Sequence, residues 1–347
     1  MKYAKIFLIL ILSIICIASF TACSATEQYF VFGTFLTVDV ASSMSPTKDA
    51  KQIKSYMDAL EKILSPTVDG SDLNRVNGAE VGVPVVCHAE TLEIMSVAEY
   101  VFKASDGAYD PSVYPLVRAW KFSGDTYNEL ANFTPPTQAE ILLKKAVVGL
   151  DKAFKIDYQN RTITKLLPGA MLDFGGIAKG YASDRAREIV SSKKLLINLG
   201  GNISAKGKKY SIGIANPARE DRVFNTAYYG ILSLESGECI STSGDYERYH
   251  GVKTGTTTTY YHHIINPSTG YPADTDGANG VVSATVISTN GAFADAVATA
   301  IVVVGKEKGI ELLNALQNDN RYPLSCVLID GEMKCQTFGD VNFEIEE

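Results

Sequence analysis

The sequence lacks the features that identify several classes of protein. Asp and Glu (39) outnumber Lys and Arg (32), and the net charge of -7 makes a nucleic-acid backbone a poor partner. The cysteines show no C-x-x-C spacing, which leaves a zinc site without support. The phosphate-loop pattern G-x-x-x-x-G-K-[ST] and the dinucleotide pattern G-x-G-x-x-G are both absent. The absence of both glycine patterns excludes the commonest phosphate-binding loops, so a phosphate site in this chain would have to use other glycine turns.

The chain begins with a short apolar run, IFLILILSIICIASF. It follows two lysines, precedes the small residues of TACS, and falls short of the roughly 20 residues that span a membrane. This pattern is typical of a signal peptide, and SFTAC resembles a bacterial lipobox. We expect a lipoprotein signal peptide at residues 1–22, a lipidated tether at 23–28 anchored through Cys23, and a protein on the extracytoplasmic side of the cell membrane. An ordinary secretory signal with an incidental cysteine is the alternative.

Residues 29–347 show no low-complexity linker and are predicted to form one large domain. Strand-like segments follow one another in antiparallel series with helices inserted, which favours an α+β fold over a doubly wound parallel sheet. The local sequence predicts the secondary structure of three segments: one strand bent at Gly33 (29–42), a polar loop SDLNRVNG (71–78) and a short strand AMLDFG (170–175). Cys326 and Cys335 flank a predicted hairpin, where either a disulfide or two free buried thiols would fit.

Asp295 lies in the most apolar helical segment, GAFADAVATAIVVVG, with Asn290 as its expected cap and Gly305 as its end. Such a helix is buried, so an ionised aspartate in it needs a partner or a metal. Thr299 follows four residues later on the same helix face. A carboxylate and a hydroxyl oxygen suit Mg²⁺, which completes its shell from phosphate and water. The structural alternative places Asp295 at the favourable end of the helix dipole and bonds Thr299 back to a carbonyl.

Two glycine turns and a pair of histidines are further candidate components of a site with Asp295 and Thr299. DFGGIAKGYASD, which begins at Asp173, enters a helix through Gly-Gly and presents free N–H groups to an anion, with Lys179 as a further cation. A plain turn capped by Asp173 is the alternative. NLGGN is a second such turn, and with Asp295 the two suggest a phosphorylated ligand and Mg²⁺. Of the neighbours His262 and His263, at most one can face a shared cleft.

DFGGIAKGYASD resembles the signature D-x-G-G-I-A-K-G-Y-x-x-D of the ApbE family, the FAD:protein FMN transferases. Seven further segments resemble the family's other blocks and follow in its order: FGT, SDLNRVN, GAYDPSVYPLVRAW, INLGGNISAKG, STSGDYERY, HIINPSTGYPA and FADAVATAIVVVG. The match covers nearly all of residues 29–339. The resemblance implies an ApbE-like fold, related to the T-fold, and a lipoprotein enzyme.

The resemblance also implies a reaction, in which FMN passes from FAD to a threonine hydroxyl of an extracytoplasmic electron-transfer subunit and AMP is released. Mg²⁺ would bind the side chains of Asp295 and Thr299 and the backbone carbonyl of Ala178. His263 would act as the base on the threonine. The residues implied to contact FAD are Phe32, Ala108, Tyr109, Asp110, Asp173, Gly175, Lys179, Tyr181 and Ile265.

Three positions depart from the family pattern. Phe32 stands where the family has methionine, and Asn266 replaces the aspartate of H-I-I-D-P. Ser65-Pro66-Thr67 stands where many members have S-T-Y, and the missing tyrosine bears on the balance between FMN transfer and FAD hydrolysis. An FAD pyrophosphatase that yields FMN and AMP is therefore the alternative enzyme, and a flavin-binding lipoprotein without turnover is the alternative outside catalysis.

Overall fold

The computed structural model describes residues 24–123 and 133–346, so the predicted signal peptide and Cys23 lie outside the described residues. The helices in that part of the chain are α1 (Pro46–Leu64), α2 (Asp72–Gly78), α3 (Ala89–Ala104), α4 (Tyr114–Ala119), α5 (Gln138–Lys145), α6 (Leu150–Ala153), α7 (Ala178–Ala186), α8 (Gly291–Val304) and α9 (Lys306–Asp319). The strands are β1 (Ala25–Val31), β2 (Thr34–Ala41), β3 (Pro84–Val86), β4 (Phe154–Asp157), β5 (Thr162–Lys165), β6 (Lys194–Leu199), β7 (Asn202–Lys206), β8 (Tyr210–Ala215), β9 (Tyr228–Leu234), β10 (Cys239–Gly244), β11 (Tyr249–Thr254), β12 (Thr257–His262), β13 (Val281–Ser288), β14 (Leu324–Asp330), β15 (Cys335–Phe338) and β16 (Phe343–Ile345).

An eight-stranded sheet organises the fold, in the order β1-β2-β6-β7-β10-β13-β14-β15, and its neighbouring strands are all antiparallel. Strand β6 shows how the sheet separates two cores. Leu195 and Ile197 face the main core with the helices, whereas Leu196 packs against a second core under the β16-β9-β8 sheet. The predicted α+β fold, a large antiparallel sheet with inserted helices, is confirmed.

The interpretation of residues 29–42 as one bent strand is wrong. Strands β1 and β2 form a hairpin in which Val31 pairs with Thr34, and Phe32 and Gly33 make the turn with φ of 54° and 65°. Positive φ at both turn residues matches the twist of the flanking strands, although it is unusual for a phenylalanine. Strand β1 begins at Ala25, so most of the segment predicted as a tether (23–28) belongs to the sheet.

Two other local interpretations are also wrong. SDLNRVNG is helix α2 instead of a loop, because the Ser71 hydroxyl caps it by accepting the Asn74 N–H. The Asp72 carboxylate of this helix is fully buried. AMLDFG forms no strand, and only Met171 makes an isolated bridge, to Val113.

Helix α8 occupies the centre of the main core. Nearly all of its side chains are buried, as the apolar sequence predicts, and it packs on β10, β13, α3 and α7. The Asn290 side chain accepts the Phe293 N–H at 2.8 Å, and Gly305 ends the helix at φ 80°, so both predicted boundaries are confirmed. This position fixes where the polar side chains of α8 can reach.

The described cysteines, Cys87, Cys239, Cys326 and Cys335, are all free thiols. In the β14–β15 hairpin Cys326 pairs with Phe338 and Cys335 pairs with Ile329, so the two sulfur-bearing residues are not opposite each other. Among the residues described, no helix has the length and apolar character needed to cross a bilayer.

Candidate active site

Helices α7 and α8 meet through glycines. A Cβ on Gly180 would lie 2.1 Å from the Gly291 carbonyl oxygen and 2.8 Å from Cβ of Asp295. A Cβ on Gly176, just before α7, would lie 3.0 Å from Oγ1 of Thr299. Ala178, between these two glycines in the chain, is buried. The glycines therefore bring the backbone of α7 against the polar side chains of α8.

Asp295 is buried, with 2% of its surface exposed, and its carboxylate has few donors. Oδ2 accepts the Gly180 N–H at 3.0 Å, and the Asn202 amide, with its nitrogen turned toward Asp295, donates at 3.2 and 3.3 Å. Burial raises the pKa of Asp295, while the Lys179 charge and the Gly180 N–H lower it. Asp295 is the fifth residue of α8 and not part of its first turn, so the helix-dipole alternative does not explain it.

Thr299 lies one turn further along α8. Its hydroxyl donates to the Asp295 carbonyl oxygen at 3.1 Å and lies 3.2 Å from Oγ of Ser243. The bond back to the helix is thus present, as the structural alternative foresaw, but a hydroxyl keeps lone pairs after donating. The oxygen can still accept a ligand.

The donors around α8 fit a hard cation. Asp295 and Thr299 supply oxygen atoms one turn apart, and the backbone that includes Ala178 runs beside them at Gly176 and Gly180. In residues 24–123 and 133–346, no group of three or more His, Cys, Asp or Glu side chains could hold a metal alone. A cation here would need carbonyl, hydroxyl and ligand oxygens, which is the coordination that Mg²⁺ accepts.

An unsatisfied hydroxyl points to a ligand in the same region. Tyr109 is buried, and its hydroxyl oxygen has no hydrogen-bond partner among the described residues. Burial raises the pKa of Tyr109, and the negative charges of Asp295 and Asp173 raise it further. Buried polar groups are nearly always paired, so an unpaired hydroxyl that experiences the charges of two carboxylates fits a site completed by a bound molecule.

The glycine turn before α7 is arranged around Asp173. Oδ1 of Asp173 accepts the Gly175 N–H at 3.0 Å, and Nζ of Lys179 donates to the Gly175 carbonyl oxygen at 3.0 Å. Gly175 is exposed, and the Gly176 N–H has no acceptor in the described part of the chain. Burial raises the pKa of Asp173, whereas the Gly175 N–H, Lys179 and Arg248 lower it. A free N–H and an ammonium group at one turn are suited to an anion.

The two histidines have different surroundings. His262 is buried and its Nε2 bonds to the Ala273 carbonyl oxygen at 2.8 Å, so it belongs to the core. Nδ1 of His263 faces the Arg248 carbonyl oxygen at 3.2 Å. Because only an N–H can pair with a carbonyl, neutral His263 carries its proton on Nδ1 and leaves the Nε2 lone pair free to accept one.

Burial, together with the charges of His262, Arg248 and Lys179, lowers the pKa of His263 to about 3. His263 is therefore neutral at physiological pH. The Lys179 charge also lowers the pKa values of Asp173, Asp295 and Glu247, so one ammonium group acts on these three carboxylates as well as on His263.

Phe32 and Ala108 are half-buried against the main core. Three other predicted FAD contacts have their side chains committed elsewhere. Asp110 accepts both the N–H and the hydroxyl of Ser112, Ile265 packs in a core with Leu116 and Trp120, and the Tyr181 hydroxyl donates to Glu93. Tyr181 lines a cavity of about 520 Å³ near α3 that none of the other predicted site residues line. The structure thus does not bring the Tyr181 hydroxyl to Asp295.

A second cavity, of about 460 Å³, is lined in part by the segment that leads to Asp173. Its lining includes Thr67, Asn77, Tyr114, Arg118 and Met171. Met171 is two residues from Asp173, and burial together with the Asp173 charge raises the pKa of Tyr114 to about 12. Thr67, where the family often has tyrosine, therefore lies on the wall of a cavity beside the candidate site.

The interpretation of the sequence missed Arg248 and Asn202. Both lie in segments that resemble family blocks, STSGDYERY and INLGGNISAKG, but no pattern in one sequence separates a free arginine from a paired one. Asn202 is 1% exposed, and a buried amide after a Gly-Gly turn was a signal that could have been used.

The comparisons with known proteins agree with one another. A model of the ApbE family matches residues 32–322. The FAD:protein FMN transferases of Vibrio cholerae and Klebsiella pneumoniae are 29% and 30% identical to this chain, over 78% and 76% of it and 78% of each relative. An ApbE protein crystal structure from Thermotoga maritima has a TM-score of 0.77 at 29% identity, covering 90% of this chain and 96% of that one. The Vibrio cholerae flavin transferase ApbE structure, at 24% identity, has a TM-score of 0.72 over 91% and 97% and supports the fold.

Proposed function

This chain belongs to the ApbE family, and from that premise and its site we propose that it transfers FMN from FAD to a threonine hydroxyl of a protein acceptor, releasing AMP. The observation that carries the proposal is the buried, incompletely paired carboxylate of Asp295 against the glycines of α7. A carboxylate in that state stabilises the fold poorly and favours a bound cation.

The chain's own residues account for the proton. The threonine oxygen attacks the phosphorus of the FMN half, the P–O bond to AMP breaks, and AMP leaves with the electron pair. Nε2 of His263 accepts the hydroxyl proton, because the Arg248 carbonyl keeps the other proton on Nδ1. A neutral, weakly basic imidazole needs the proton transfer to coincide with the attack.

The second requirement of the reaction is that the negative charge of the pyrophosphate be neutralised. Bound Mg²⁺ would neutralise charge on the pyrophosphate. The side chains of Asp295 and Thr299 and the carbonyl of Ala178 would hold it, while the Gly176 N–H and Lys179 would bind phosphate oxygens. Phe32, Ala108 and Tyr109 would border the rest of FAD.

An FAD pyrophosphatase is the second candidate, and the position of Thr67 favours it. A threonine leaves space in the cavity next to Asp173 that a tyrosine would fill. Water in that space could replace the acceptor hydroxyl, and the products would then be free FMN and AMP.

We also propose that Cys23 carries lipid after removal of residues 1–22, which would hold the enzyme at the outer face of the cell membrane. Its acceptors would be extracytoplasmic electron-transfer proteins. Retention of metabolic fatty-acid label by wild type and its loss in Cys23→Ala would support this, and label on the variant would contradict it.

One experiment separates the candidates. The protein is incubated with FAD, Mg²⁺ and an acceptor domain, and AMP, free FMN and covalent flavin fluorescence on a denaturing gel are measured. AMP with a labelled acceptor supports transfer, and AMP with free FMN alone supports hydrolysis. Absence of AMP would refute both and leave a flavin-binding lipoprotein.

A further inference from the structure

Arg248 lies between β10 and β11, directly before the first residue of β11. Its backbone carbonyl accepts hydrogen bonds from both the N–H and Nδ1 of His263. Its side chain extends toward the β1–β2 turn, where a Cβ on Gly33 would be 3.8 Å from Nη2. The backbone of Arg248 therefore contacts the candidate base, while its guanidinium lies close to the Phe32–Gly33 turn.

The Arg248 guanidinium has no ion pair and no hydrogen bond within residues 24–123 and 133–346. The neighbouring Arg219 and Arg222 differ, because both are paired with the buried carboxylate of Asp245. The charge of Arg248 nevertheless acts on Asp173 and Glu247, whose pKa values burial raises. A planar group with five N–H donors and no protein acceptor is suited to phosphate oxygens.

We propose that the Arg248 guanidinium binds the pyrophosphate oxygens of FAD and stabilises the negative charge that develops there as FMN is transferred. This assignment rests on the proposed function. It adds to the site a second cation, besides Lys179 of α7, that acts on Asp173 and Glu247. Preorganised donors of this kind act on charge as it develops, so they affect the rate as well as binding.

The side chain of Arg248 can be replaced without removing the contact to His263, because that contact is made by the Arg248 backbone carbonyl. Arg248→Gln removes the charge, and Arg248→Lys retains it without the planar fork. Lys253→Gln is the matched control, since it removes one positive charge from an exposed position of β11, the strand that follows Arg248. Each variant is compared with the wild-type protein by its thermal unfolding midpoint before any binding or rate is interpreted.

Binding of FAD and of uncharged riboflavin is measured by flavin fluorescence, and AMP release is measured with Mg²⁺ and acceptor. We expect Arg248→Gln to weaken FAD binding about 10- to 100-fold while riboflavin binding is unchanged. AMP release should fall about 10²- to 10³-fold, recover partly in Arg248→Lys, and recover in Arg248→Gln on addition of millimolar guanidinium. Lys253→Gln should match wild type.

Equal loss of FAD and riboflavin binding, or a loss without rescue by lysine or guanidinium, would show that Arg248 only supports the β1–β2 turn and would overturn the assignment. Normal FAD binding and AMP release in Arg248→Gln would overturn it as well. If wild type releases no AMP, the proposed function fails, but the comparison of FAD with riboflavin still decides whether Arg248 binds the pyrophosphate.

Discussion

Replacement of Asp295 by asparagine should make the cation-free protein more stable while abolishing its response to Mg²⁺. The wild-type carboxylate has about four lone-pair sites. The structure supplies the Gly180 N–H and two long contacts from the Asn202 amide. Asn202 can turn its oxygen toward an amide at position 295, so Asp295→Asn keeps partners and loses only the buried charge.

The expected gain is about 1–3 kcal/mol in the free energy of unfolding, the cost of a buried polar group without its full set of partners. Asp72 is the matched control, because its carboxylate is equally buried but accepts hydrogen bonds at both of its oxygen atoms. It accepts the His88 N–H at 2.6 Å, the Thr91 hydroxyl at 2.6 Å, His88 Nδ1 at 2.9 Å and Arg75 at 2.5 Å. Asp72→Asn should lose about 2–3 kcal/mol.

The pH dependence of the two aspartates should have opposite signs. Burial would raise the pKa of Asp72, but bonds from Thr91, His88 and Arg75 hold it below 3.8. Its contribution to stability is therefore present above pH 3.8 and is lost as the pH falls through the folded-state pKa. The pKa of Asp295 is raised, so the cost of its ionisation is present above the folded-state pKa and disappears as the pH falls through it.

Urea unfolding in EDTA and in Mg²⁺ measures these differences. The advantage of Asp295→Asn in EDTA should shrink as the pH falls. Mg²⁺ should stabilise wild type by about 2.7 kcal/mol at a hundred times its dissociation constant, and should leave Asp295→Asn unchanged. If Asp295→Asn is less stable than wild type in EDTA, the carboxylate serves the fold and the reasoning is refuted.

Three further substitutions test the contacts of the site. Gly180→Ala should lower the free energy of unfolding by about 1–3 kcal/mol and reduce activity, because its Cβ would be 2.1 Å from the Gly291 carbonyl oxygen. Gly78→Ala is the control, because its Cβ would have no atom within 4 Å, and it should unfold in urea near the wild-type midpoint. His263→Gln should slow AMP release about 10²- to 10⁴-fold with FAD affinity nearly intact, and an unchanged rate would remove it as the base. Thr67→Tyr should raise the ratio of labelled acceptor to free FMN by filling the adjacent cavity, and an unchanged ratio would contradict that cause.

Much of the fold was predictable where local signals agree with tertiary packing. The helix at 290–305 has a cap, an apolar run and a terminal glycine, and the structure follows all three. Prediction failed at SDLNRVNG because its polar residues suggested a turn, while Ser71 caps a helix whose Asp72 is satisfied by residues 16 and 19 positions later. It also failed at Phe32, since a phenylalanine at positive φ is not a recognised turn signal.

The positions of Asp295 and Thr299 in the candidate site were predictable from the sequence, whereas the contacts of Arg248 and Tyr181 were not. Burial of Asp295 followed from its apolar helix, and proximity to Thr299 followed from helical spacing. The freedom of Arg248 from ion pairs could not be predicted, because it depends on Asp245 being taken by Arg219 and Arg222. The direction of Tyr181 toward Glu93 likewise depends on how α3 packs beside α7.

The start of β1 at Ala25 has a consequence for which proteins can be substrates. With lipid on Cys23, the eight residues 24–31 separate the anchor from the Phe32–Gly33 turn, and the nine steps from Cys23 to Phe32 reach about 31 Å when fully extended. The Phe32–Gly33 turn, which the Arg248 side chain approaches, could then rise no further than this above the membrane. An acceptor would be selected by the height of its threonine as well as by its sequence, and proteins whose threonine stands beyond that height would stay unmodified even when abundant.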